Sequence, residues 1–375
     1  MSKSNHSDKT ITDAVVTRTI DYLALPCVVG HEQFFLNHLY QEYSDAGLTA
    51  IRHDGLLEVH GSDPTSALLC AHIDRHGLIS IGQGEYVYAA QYMKEIKYGQ
   101  SNRTSQKEIA DITKRFEGEN VYIYDPETGQ TLGSGIIKTC DAWLLKGDAM
   151  FEVIGPNDSI ALGYPLAYAR TARVESGLFK GQLDNAISLG TIRALFDNGF
   201  QGTVLFSTEE EIGKSWTKIH QWLEKNRIIS QTIIVLDTSP YNSSEPVDQG
   251  MVIFRNRDMS EKFNPAMVAA LKQRAENLKI PYQFKDEYLI ANGKNTRQLG
   301  STELGRLIQG TKRTWSGATI QIPTLMYHTS NETTSLHAIQ NFYGFLANIL
   351  MDDPLPLRYT LETVTKKTID NKRAP

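Results

Sequence analysis

The chain has 375 residues, of which 41% are hydrophobic and 22% charged, with a formal net charge of -5 and a pI near 6.1. That length allows one large domain or two moderate ones, and the acidic balance speaks against a nucleic-acid binder, which draws on a basic excess. Cys27, Cys70 and Cys140 are widely spaced and odd in number, which implies a reducing compartment, and no window reaches the roughly 18 apolar residues of a membrane span.

The polar start, MSKSNHSDKT, lacks the apolar core of a signal peptide, so a soluble cytoplasmic protein is expected. After Thr10 an apolar stripe of Val15, Val16, Ile20, Leu23 and Leu25 predicts a helix. A second helix is expected from His31 to about Ala46, with Phe34, Phe35, Leu36, Leu39 and Tyr40 as its apolar face and Gly47 as its stop. SALLCA (Ser66 to Ala71) reads as a short buried strand. From about Gly82 to Val174 the texture changes. Short strand candidates such as NVYIYD and FEVIG alternate with turn signals at Asp125-Pro126, Thr128-Gly129 and Pro156-Asn157, and a helix is expected over Ser105 to Phe116. Beyond it, a helix follows Asn185 and ends at Asn198-Gly199, and TVLFST and TIIVL are two more buried strands.

Strands that alternate with helices and show no hydrophobic/polar alternation of their own indicate a sheet covered on both faces. The expected fold is α/β, a mixed central sheet covered by helices with a small β-rich domain inserted. Residues 1–82 and 175–353 would form the main domain, 83–174 the insertion, and 354–375 a polar tail.

The ends of the buried strands carry the chemistry. SALLCA delivers His72, with Asp74 two residues later; Asp184 precedes the helix at Asn185; TVLFST runs into Glu209-Glu210-Glu211; TIIVL delivers Asp237; and IQIPTLMYHTSNE carries His328. Singly, each has a plain reading. Three acids in a row suit a solvated loop, Asp184 a helix cap, Asp237 a turn, and His72 and His328 ordinary polar positions. Jointly, they lie where open α/β sheets collect ligands. Imidazole nitrogens with carboxylates, one of them bridging, are the donors a pair of divalent cations would use.

In order, AHIDRHG, GQLDNA, TEEEIG, VLDTSP and YHTSNE resemble the five metal-site motifs of MH-clan metallopeptidase family 42, the TET-type, deblocking or glutamyl aminopeptidases. The resemblance implies a zinc-peptidase (phosphorylase/hydrolase-like) fold and removal of N-terminal residues from short peptides. It implies two divalent ions, zinc first, with cobalt or manganese as alternatives. His72 would bind one ion and His328 the other, Asp184 would bridge them, and Glu211 and Asp237 would complete the two sites. Glu210 would be the general base. Asp74 would hold His72, since a ligating imidazole usually donates its other N–H to a carboxylate. The family also implies a cis peptide at Asp184-Asn185 and a homo-oligomer, from dimer to dodecamer, built through the inserted domain.

Three stretches depart from the family's pattern. Arg75 and His76 stand where an acid and an aliphatic residue are usual, so His76 reads as a polar loop residue, an altered pocket wall or an accessory ligand. Gly300-Ser301-Thr302-Glu303 replaces Gly-Gly-Thr-Asp, and His328-Thr329-Ser330 replaces His-Ser-Pro. Two other functions fit the same motifs: an amidohydrolase or deacylase of the clan acting on N-acyl amino acids, and a catalytically silent binding protein. A silent relative would lose a ligand or the base, and this sequence keeps them all.

Overall fold

The computed structural model describes residues 4–100, 105–140, 150–155, 160–169 and 171–361. Helix α1 (Ser4–Leu23) begins earlier than the apolar stripe suggests, because no glycine or proline stops it before Thr10. In α2 (Gln33–Asp45) the buried face is Phe35, Leu36, Leu39 and Tyr43, so Tyr43 takes the place expected of Tyr40. The hairpin β1 (Thr49–His53) and β2 (Leu56–His60) follows, then β3 (Leu68–His72).

The next stretch holds β4 (Leu78–Gly82), β5 (Glu85–Tyr88), α3 (Ala89–Tyr98), α4 (Gln106–Phe116), β6 (Asn120–Tyr124), β7 (Thr131–Thr139), β8 (Met150–Ile154) and β9 (Pro165–Tyr168). Ser105 caps α4 in a reciprocal box with Glu108. The six strands close into a barrel in the order β4-β5-β8-β7-β6-β9. The turn expected at Pro156-Asn157 and most of the 354–375 tail lie outside the described residues.

The chain then returns through β10 (Arg173–Glu175), β11 (Leu178–Gly181), α5 (Ala186–Asp197), β12 (Thr203–Ser207), α6 (Ser215–Lys225), β13 (Ile228–Ile229) and β14 (Ile233–Pro240). It continues with α7 (Glu245–Asp248), β15 (Val252–Phe254), α8 (Pro265–Leu278), β16 (Tyr282–Phe284) and α9 (Lys285–Ala291). The last elements are α10 (Glu303–Gly310), β17 (Gly317–Thr324), β18 (Glu332–Ser335), α11 (Leu336–Ala347) and β19 (Thr360–Leu361).

The fold is α/β with a mixed eight-stranded sheet, ordered β1-β2-β12-β3-β14-β17-β15-β16. Its centre, β12-β3-β14-β17, is parallel. Residues of β3, β12 and β17 are buried throughout, as expected of strands covered on both faces. Ser207 pairs with His72 and Asp237 with Gln321, so the carboxyl ends of the central strands lie side by side. One apolar core fills the sheet layer, and a second fills the barrel, from Leu78 and Phe116 to Leu166.

Candidate metal centre

His72 is the last residue of β3, and its ring is buried. Its Nε2 lies 3.3 Å from Asp184 Oδ1 and 3.5 Å from Asp237 Oδ1. Asp237 sits inside β14, which runs on to Pro240, so it starts no turn and points from an extended backbone. Asp184 lies between β11 and α5, followed by a cis peptide to Asn185. The Asn185 amide donates to the Leu236 carbonyl at 2.8 Å, tying this turn to the strand before Asp237. The second carboxylate oxygen of Asp184 is 3.6 Å from His328 Nε2, and Glu211 Oε2 is 3.7 Å from the same nitrogen. All five expected ligands therefore meet at one place.

The donors fall into two groups, His72, Asp184 and Asp237 on one side and His76, Glu211 and His328 on the other, with the ligand atoms of each group within 4.8 Å of one another. Asp184 Oδ1, Glu211 Oε1, His76 Nε2 and His328 Nε2 are buried and make no hydrogen bond among the described residues. Orphaned buried acceptors beside imidazole nitrogens are costly unless a cation satisfies them, so this donor set fits divalent metal.

Burial and mutual charge perturb these donors strongly. Burial pushes Asp237 up to about 6 and Glu211 well above the carboxylate range, the latter with help from Asp184. Burial would also lower His72, but Asp184 and Asp237 hold it well above the usual imidazole value. His328 is pushed down to about 4 and His76 well below its usual value, both mainly by burial.

Asp74 has a second task beside the expected support of His72. Its carboxylate accepts the backbone N–H groups of Glu210 and Glu211, each at 3.0 Å, while the His72 Nδ1–H is 3.1 Å from the Asp74 backbone carbonyl. The carboxylate itself is 3.7 Å from that nitrogen. Asp74 thus meets His72 first through its backbone carbonyl, with its carboxylate close by, and its side chain pins the acid turn.

Glu210 is gripped by Arg306 of α10, whose Nη1 donates to Oε1 at 2.6 Å. Burial opposes the Arg306 charge, and the Glu210 carboxylate more than offsets it. Glu332 is fully buried and accepts the N–H groups of Asp184 and His328, holding the last two ligand loops together. Neither Arg306 nor Glu332 stands out in the sequence. Glu332 closes the YHTSNE run, whereas Arg306 lies 96 residues from its partner. The donor residues, Glu210 and Arg306 face a cleft of about 760 Å³, also lined by Lys94, Glu108, Asp111, Arg115 and Tyr327.

No protein-family model and no curated protein matches the sequence. Solved structures do match the fold. An aminopeptidase from the archaeon Desulfurococcus kamchatkensis aligns over 93% of this chain and 96% of its own, with TM-score 0.67 and 13% identity. A TET aminopeptidase from a marine-sediment Thaumarchaeota archaeon covers 91% and 96%, with TM-score 0.66 and 16% identity. The TET1 peptidase of Pyrococcus horikoshii, which can assemble into a tetrahedron or a large octahedral shell, covers 90% and 99%, with TM-score 0.63 and 15% identity. The chain has the fold of the TET aminopeptidases along nearly its whole length.

Proposed function

We propose that this chain is a dinuclear metal-dependent aminopeptidase that removes N-terminal residues from short peptides. The observation that supports this reading most is Asp184, whose two carboxylate oxygens face His72 at 3.3 Å and His328 at 3.6 Å from the two donor groups. In this reading His72 and Asp237 hold one ion, Glu211 and His328 the other, and Asp184 serves both. Bound there, the ions, zinc first among them, supply Lewis acidity that polarises a peptide carbonyl and acidifies water.

The remaining work falls to the chain's own residues. Glu210 accepts the proton of the attacking water and returns it to the leaving amine. Arg306 takes one of its oxygens and leaves the other for that proton. Asp74, by holding two consecutive N–H groups, fixes base and ligand relative to each other. Glu95, Glu108 and Asp111 line the same cleft, and such a carboxylate would take the free α-amine that marks an exopeptidase substrate. By the same reading the protein works in the cytoplasm as a homo-oligomer.

The test combines elemental analysis of the purified protein with a panel of aminoacyl anilides and N-acyl amino acids. Two metal ions per chain and cleavage of free-amine substrates are expected, with Glu210→Gln slower by about 10²–10⁴-fold and its metal retained. Preference for the N-acyl compounds would move the activity to a deacylase. Full peptidase activity in Glu210→Gln, or fewer than two ions under metal-replete conditions, would count against the reading.

A further inference from the structure

His76 has no assigned task in the two-ion arrangement, and any role for it at the metal centre depends on that arrangement. Its ring is 4% exposed. Nε2 approaches Glu211 Oε2 to 2.7 Å, yet it makes no hydrogen bond among the described residues, so the two atoms meet without the alignment of an N–H···O bond. Side chains whose lone pairs converge on a common point approach each other in this way. The His76 and His328 rings are 3.8 Å apart at their centroids, inclined at 62°, and the Nε2 atoms of both approach the same Glu211 oxygen, at 2.7 and 3.7 Å.

The other ring nitrogen is occupied. Nδ1 is 2.6 Å from the Tyr88 hydroxyl, and the two rings stack at 5.4 Å. A neutral imidazole binding metal through Nε2 carries its proton on Nδ1 and needs an acceptor there. The Tyr88 oxygen provides one, in the place where a carboxylate or carbonyl usually stands.

We infer that His76 is a ligand of the second ion, which is then held by His76, Glu211 and His328 in addition to the shared Asp184, with Tyr88 orienting the added imidazole. A site with two imidazoles and a carboxylate of its own favours zinc or cobalt over manganese more strongly than one with a single imidazole. Where the resembled family has an aliphatic residue, this chain would have traded pocket wall for metal affinity.

The experiment uses the full-length protein, stripped by chelation and titrated with Co²⁺ followed by absorption, and with Zn²⁺ followed by calorimetry. Leucine is the aliphatic kind of residue usual at this position in the resembled family, and His76→Leu/Tyr88→Phe removes the phenol that His76→Leu alone leaves without its partner. Far-ultraviolet dichroism and unfolding of the metal-free proteins report whether each variant is folded. In both variants the second equivalent should bind at least about tenfold more weakly, with altered cobalt ligand-field bands. Tyr88→Phe alone, which keeps the ligand, should retain the bands and lose less affinity. A second equivalent that binds the folded variants with unchanged or greater affinity and an unchanged spectrum would overturn the assignment of His76 while leaving the two-ion reading intact. Failure of the unmutated protein to bind two ions would overturn both.

Discussion

Glu209 shows how three identical neighbours come to do different things. Its backbone turns into the left-handed region, φ +68°, so the acids after it leave the strand direction. Its own side chain is 3% exposed and accepts from Lys97 at 2.5 Å and Tyr98 at 2.6 Å, with Lys218 at 3.1 Å. Burial would raise this carboxyl, but those donors hold it at about 2, so it stays charged as an anchor between α3, α6 and the acid turn. A buried carboxylate of the same kind lies outside both donor groups. Glu58 of β2 lies between His53, 2.7 Å away, and His60, 2.6 Å away. Burial again would raise it, and the hydrogen bonds from His60 and His53 prevail, holding it at about 2. A folded pKa below the unfolded one contributes stability that is complete above about 4.5 and lost as pH falls through 2. Glu58→Gln should therefore destabilise the protein at pH 7 by about 1–3 kcal/mol, and the gap from the unmutated protein should narrow as pH falls from 4.5 toward 2. Denaturant midpoints measured across that range give the answer. A gap that stays constant with pH would refute this account of the Glu58 carboxylate.

At the scale of elements, the ligand-bearing strand ends were legible because each is a short apolar run with a polar residue at its carboxyl end. SALLCA and TVLFST become β3 and β12, and their register brings His72 beside Ser207. What was not legible depends on partners remote in the chain. The extension of β14 through Asp237 to Pro240 is stabilised by eight-residue pairing with β17, a contact no local pattern announces. The same holds for α10. Gly300, at φ +74°, and the Thr302 cap, whose hydroxyl accepts from Gly305 N–H, explain the resemblance of Gly300-Ser301-Thr302-Glu303 to a family motif. The reason α10 sits where it does is Asp258, buried and accepting from Thr302 N and Oγ1, Ser260 N and Glu261 N. A Cβ on Gly305 would overlap the Asp258 carboxylate. In an exposed helix, Gly→Ala gains about 1 kcal/mol, but here the carboxylate is pinned by four bonds and cannot give way. Gly305→Ala should lower stability by about 1–2 kcal/mol and weaken peptidase activity, because α10 carries Arg306 to Glu210. An unchanged or raised denaturant midpoint would contradict this.

Over the whole molecule, the proposed ligands come from stretches of chain far apart in sequence, at residues 72, 184, 211, 237 and 328, with His76 joining them at the second ion. They are carried by different strands and by the turns between elements, and the cleft they face is also lined by Tyr88 of β5 and by Ile112 and Arg115 of α4. An unfolded chain cannot bring them together, so ions bound here favour the native state by mass action. The expected contribution is about 2.7 kcal/mol per ion when free metal is at 100 times its dissociation constant. Burial makes the alternative costly, because without cations the carboxylates of Asp184, Glu211 and Asp237 share one low-dielectric space. Chelation should therefore lower the thermal midpoint, and the midpoint should rise with the logarithm of free zinc when metal is returned. Asp184→Asn, which takes charge from the residue facing both imidazoles, should flatten that dependence more than loss of any ligand serving one ion. A midpoint indifferent to chelator and zinc in the unmutated protein would mean that the buried array is satisfied by its own ion pairs, and the two-ion reading would fall with it.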